Sequence, residues 1–128
     1  MILKKGDIVK HFKGSDLVEK NIYEILAVNP VYTGTNIFPI APVVIYAPLF
    51  QEGKTFVREY SDLTTELEPE KKEQYGQTFR IEILTEAELA YIKTPEFIEK
   101  KMAYLQKKEE KKAEEEASKN TQEKEKSR

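Results

Sequence analysis

The sequence predicts a small, mainly β domain followed by a C-terminal helix and a charged tail (α+β overall). Three observations carry that expectation. Up to about residue 84 the apolar residues fall in short runs separated by Gly-, Asn- and Pro-bearing turns, the pattern of a small β-barrel of about five strands. From Thr85 the apolar spacing becomes helical, and beyond Leu105 no apolar side chain is larger than alanine. With 128 residues there is room for one modest core. The expected division is a barrel over 1–84, a packing helical segment over 85–105 and a charged tail over 106–128.

The first strand is expected over 8–12, where Lys13-Gly14-Ser15-Asp16 supplies a turn. Residues 22–28 are rich in branched and aromatic side chains, as strands are. Residues 40–46 form a nearly continuous apolar run, which fits a strand covered on both faces. Pro39, Pro42 and Pro48 around it point to an edge position or a bulge, because proline has no N–H to give a ladder. The loop before it, 29–36, carries Tyr32, a ring that either folds back on the barrel or serves binding. Two more strands alternate cleanly. In 55–60, Phe56, Arg58 and Tyr60 share a face; in 77–84, Phe79, Ile81 and Ile83 oppose Arg80 and Glu82. The acidic stretch between them, 63–76, reads as a solvated loop or short helical turn.

Thr85 with Glu88 three residues on is a capping box, and Thr94 before Pro95 is a second helix start. Ile98, Met102 and Leu105 make an apolar stripe with Phe97 beside it. The stripe has two destinations: the open end of the barrel, or a second copy, making a homodimer through the 97–105 helix. From Gln106 onward there are eight basic and seven acidic residues, expected to form an exposed helix that frays into disorder near Ser118.

Charged residues are 34% of the chain, yet the net charge is −2, which argues against a nucleic-acid binder. The absence of cysteine excludes disulfides and thiolate metal sites, and a lone histidine leaves too few ligands for zinc, so no metal or cofactor is expected. The N-terminus lacks the apolar core of a signal peptide, and the longest apolar run, 37–50, is too short and proline-broken to span a membrane. A cytoplasmic protein is expected.

His11, Tyr46 and Arg58 form the constellation with most chemical content. An arginine flanked by rings offers a permanently charged fork beside stacking surfaces, suited to a phosphate or carboxylate on a flat body. Lys13 adds a cation beside His11. The candidate ligand-binding residues are therefore His11, Lys13, Tyr32, Tyr46, Phe56 and Arg58. The plainer alternative is that Arg58 pairs with Glu24, Glu59 or Asp62 as a staple and His11 is an ordinary strand residue. Ser15, Thr33, Thr35 and Thr55 have no motif preparing a nucleophile for His11, and no Walker or dinucleotide glycine pattern exists, so no enzyme is expected. The chain reads as a module binding an anionic or nucleotide-like small molecule, or alternatively as one engaging a protein partner through the barrel face or the helix.

Several segments taken in order resemble a known family. They are Gly6, His11-Phe12-Lys13-Gly14, Tyr23-Glu24-Ile25-Leu26-Ala27-Val28, Val44-Ile45-Tyr46-Ala47-Pro48-Leu49-Phe50 and Phe56-Val57-Arg58. Together they are similar to the bacterial and phage domain of unknown function DUF1653, over roughly 6–84. The resemblance implies a small SH3-like barrel and a phage-type accessory role, and it implies no reaction. The chain departs from the family in having Phe56 where tryptophan is usual and Glu59 where proline is usual. Its second loop lacks the family's histidine and acids, and its first turn, 15–21, is longer.

Overall fold

The computed structural model describes residues 1–30 and 41–126; Tyr32 and the expected strand start at Ile40 lie outside the described residues. Among those residues, five strands form one antiparallel sheet: β1 Ile8–His11, β2 Ile22–Val28, β3 Val43–Pro48, β4 Phe56–Glu59 and β5 Ile81–Ile83. Their order is β4-β3-β2-β1-β5, a four-strand meander whose fifth strand returns beside the first. No ladder joins β4 to β5 among the described residues, so the sheet is not closed. The helices are α1 Tyr60–Leu63, α2 Pro69–Tyr75, α3 Glu86–Ile92 and α4 Pro95–Lys126.

Three strand expectations are corrected. β3 is not an edge: it lies between β2 and β4. Pro42 precedes it and Pro48 ends it, so neither removes a donor from the middle of a ladder. The irregularity sits opposite, where the β2–β3 register shifts between Ile25 and Ala27 and leaves Leu26 as an extra residue. β4 stops at Glu59, because Tyr60 opens α1 instead of continuing the strand. β5 is only Ile81–Ile83, because the residues before it are engaged elsewhere. There the buried Gln77 amide donates to the carbonyls of Phe79 and Lys10 at 2.9 and 3.2 Å, and Phe79 bridges to Glu66.

Alternation puts one set of side chains on each face of the sheet. Val9, Ile25, Val44 and Ile81 pack on one face with Leu3 and with Leu63 of α1. Ile22 and Leu84 pack on the other with Ile92 of α3 and Phe97 of α4, joined by Ile8. The capping box of α3 forms as expected, with Thr85 and Glu88 exchanging bonds at 3.1 and 3.0 Å. Between β1 and β2 the chain folds so tightly that a Cβ on Gly14 would sit 2.9 Å from the backbone of Glu19 and of Lys20; φ is +112° there, so only glycine fits.

The expected stripe of α4 is also corrected. Phe97, Lys101 and Leu105 are buried, while Ile98 and Met102 are 39% and 45% exposed. The inward row is thus i, i+4, i+8 with a lysine at its centre. The Lys101 ammonium donates to the carbonyls of Val18 and Lys20 at 2.7 and 2.6 Å, tying the helix to the β1–β2 connection. Burial pushes its pKa down to about 8, so it still carries its proton at neutral pH. The helical backbone of α4 runs to Lys126. Among the described residues no helix is long and apolar enough to cross a membrane.

Candidate functional site

The face of the sheet that carries Val9 also carries, by the same alternation, His11 on β1, Tyr23 on β2, Tyr46 on β3 and Phe56 and Arg58 on β4. Register brings them together. Tyr46 stands opposite both Ile25 and Phe56, Arg58 stands opposite Val44, and His11 opposite Ile81. The result is a cavity of about 90 Å³. His11, Tyr23, Tyr46 and Arg58 supply its polar lining. Its floor is Val9, Ile25, Leu63 and Ile81, each no more than 2% exposed.

The walls are aromatic. Tyr23 meets Tyr46 edge-on with centroids 5.1 Å apart, and Phe56 lies 5.6 Å from Tyr46 on the outer side. Phe56 therefore buttresses the cavity without lining it. Burial, with a smaller contribution from Tyr46, raises the Tyr23 pKa, so its hydroxyl stays protonated. Tyr60, expected beside Phe56 and Arg58, packs on the same core without lining the cavity: its hydroxyl accepts the Leu3 N–H at 2.9 Å and donates to the Met1 carbonyl.

Arg58 donates through Nε to Asp62 of α1, and that bond raises the guanidinium pKa still further. The same carboxylate faces Arg80 Nη1 at 3.6 Å. Of the three acids named as partners for Arg58, the structure selects Asp62, because α1 follows β4 directly and carries it back beneath the strand four residues on. Two guanidinium groups thus share one carboxylate.

His11 is held neutral. Burial is the main cause, and the positive charges of Arg80, Lys13, Arg58 and Lys20 add to it, lowering its pKa to about 4. Its Nδ1 accepts the Lys13 backbone N–H at 3.3 Å, which assigns the ring proton to Nε2 and makes that atom a donor. The Lys13 side chain contributes from outside: it is exposed and lines a separate cleft of about 240 Å³ with Phe12, Lys71 and Arg80.

Of the six residues expected to bind, the structure gathers His11, Tyr46 and Arg58 at one cavity and sets Phe56 and Lys13 just beyond it. Tyr32 lies outside the described residues. Sequence reasoning missed Tyr23 and Arg80. Tyr23 alternates with Glu24 on a strand, a signal that was available once the inner face was known. Arg80 carried no such signal, because its approach to Asp62 depends on how α1 packs.

No family model matches the chain, and neither curated proteins nor solved structures give a significant match. Among the described residues no group of three or more potential ligands is arranged to hold a metal ion.

Proposed function

We propose that this protein is a non-catalytic binding module whose sheet-face cavity captures a small anionic group. The observation that carries the reading is the polarity of the lining: a guanidinium, two phenols and a neutral imidazole, all able to donate, with no carboxylate among them. Arg58 in the lining and Arg80 outside it share the Asp62 carboxylate, which leaves one positive charge in excess among these three groups. A cavity of about 90 Å³ has the volume of about three waters, far below the ~300–1,000 Å³ of pockets that enclose drug-sized ligands. It suits a group of a few heavy atoms, so a nucleotide would enter by one end only.

The single five-stranded antiparallel sheet, with the fifth strand beside the first, supports reading the domain as related to the small SH3-like barrel that the DUF1653 resemblance implies. That likeness bears on the fold and leaves the ligand to the site. The test is mass spectrometry of small molecules released when freshly purified protein is denatured, with Arg58→Ala run in parallel. The reading expects an anionic species in the wild type that is absent from the folded variant. An identical profile from both proteins would remove the cavity from consideration.

One feature favours a second reading, a protein partner. A groove of about 770 Å³ runs between the β3–β4 connection and α4, with Phe50, Phe56, Met102 and Leu105 among its walls. Under this reading Met102→Lys eliminates a pull-down partner while leaving the cavity intact.

A further inference from the structure

The lining that suits an anion also discriminates between classes of anion, and a choice among them rests on the anion reading of the cavity. The cavity is polar at one end and apolar at the other. Arg58 has 35% of its side chain exposed and so marks the mouth, whereas Val9, Ile25, Leu63 and Ile81 are almost wholly buried and form the floor. A phosphate group needs donors around three or four oxygens, and an apolar floor supplies none. A carboxylate needs them along one edge only, and it normally carries an apolar body on the other side.

Charge points the same way. The two guanidinium groups exceed the single Asp62 carboxylate by one, which matches a monoanion. Asp62 occupies Nε of Arg58 and the Tyr46 hydroxyl also engages the guanidinium, so the remaining terminal N–H groups are the part of the fork that meets a carboxylate. Lys13 and Lys20 act on His11 only at longer range, so they add field without adding direct donors. The volume then limits the body to a few carbons.

We propose that the cavity is a receptor for short-chain monocarboxylates, the carboxylate lying at the mouth against Arg58, His11 and the two tyrosine hydroxyls and the alkyl chain seated on the floor of Val9, Ile25, Leu63 and Ile81. Chain length becomes the diagnostic variable. Each methylene that reaches the floor strengthens binding about fourfold, the factor equivalent to ~0.8 kcal/mol per buried CH₂. Gain stops once the floor is full.

The experiment is an NMR titration of the ¹⁵N-labelled full chain with formate, acetate, propionate, butyrate, octanoate, orthophosphate and adenosine monophosphate. The expected result is movement of the Arg58 Nε–H signal and of the Tyr46 and His11 amides with the monocarboxylates. Affinity should rise from acetate to butyrate and fall at octanoate. Arg58→Gln, with its dispersed spectrum retained, loses tenfold or more. Should Arg58→Gln lose its fold, Tyr46→Phe replaces it, keeping the ring and weakening binding severalfold. Saturation by orthophosphate or the nucleotide at these same signals, with the monocarboxylates inert, would overturn the monocarboxylate class and leave the anion site standing. Affinities independent of chain length would overturn the seating of the alkyl chain. If no anion moves these signals, both this inference and the anion reading fall.

Discussion

A lysine in a row of buried side chains is costly unless its charge is met, since desolvating an ammonium works against folding. Lys101 meets that condition with two carbonyls from a different part of the chain, Val18 and Lys20. Lys20 is buried by the same device, its ammonium donating to the Phe12 carbonyl at 2.6 Å. The β1–β2 connection is therefore held together by two lysines, where the composition alone suggested only solvated charge. Replacing Lys101 by Met keeps the bulk and removes the donor, leaving two buried carbonyl acceptors unmet. The expected loss is about 2 kcal/mol, read as a lower urea midpoint at unchanged slope. A Met variant as stable as the wild type would mean that the cost of burying the ammonium cancels its bonds.

At the scale of elements, α4 divides into a part with buried residues and a part whose described residues are exposed. Phe97, Lys101 and Leu105 fix its first three turns to the sheet and the loop. Every residue described beyond Leu105, as far as Ser118, is exposed. Charge pairs such as Lys111 with Glu115 support helix by only a few tenths of a kcal/mol each. Ending the chain after Glu110 should therefore change unfolding free energy by less than about 0.5 kcal/mol, while the helical circular-dichroism signal per molecule falls. A large drop in the urea midpoint of that truncated chain would show that the distal helix packs on the domain. Ending it after Glu96 removes Phe97 from the second core and should unfold the protein. Within one chain Phe97 and Leu105 are buried, whereas Ile98 and Met102 of the expected stripe stay exposed.

At the scale of the whole molecule, acid stability is tied to the site. The folded state holds His11 near a pKa of about 4, against an ordinary value of 6.5. As pH falls through 6.5 the unfolded chain takes up a proton that the folded state refuses. Stability is then complete above about pH 6.5, is lost progressively between 6.5 and 4, and loses no more from this group below 4. Glu88 acts at lower pH. Burial raises its pKa, but the Lys10 ammonium at 2.7 Å and the Thr85 backbone outweigh burial and hold it below the ordinary 4.5, so its contribution is present above 4.5 and is lost as pH falls from there through the lowered value. Thermal melts at pH 7.5, 5.5 and 4 should show the midpoint falling across the first window, and His11→Gln should flatten that fall while leaving the more acidic limb in place. An equal fall in both proteins would assign the first window to other groups.

Much of this molecule is decided locally. The bounds of β2, the capping box of α3, the start of α4 at Pro95 and the inward alternation of Phe56 with Arg58 all come from spacing and backbone chemistry, and the sequence alone determines them. The grouping of His11, Tyr46 and Arg58 was legible only as a likeness of chemistry, because each lies on a different strand. Strand order and register turned that likeness into a cavity and added Tyr23. Where a residue's partner is distant, local pattern failed: Asp62 approached Arg80, Lys101 displaced Ile98 and Met102 from the buried row, and Gln77 shortened β5 by holding carbonyls of another strand. The physical reason is common to all three. A polar group becomes suited to burial only when its hydrogen-bond partner arrives, and here that partner is delivered by tertiary folding, not by neighbours in the chain.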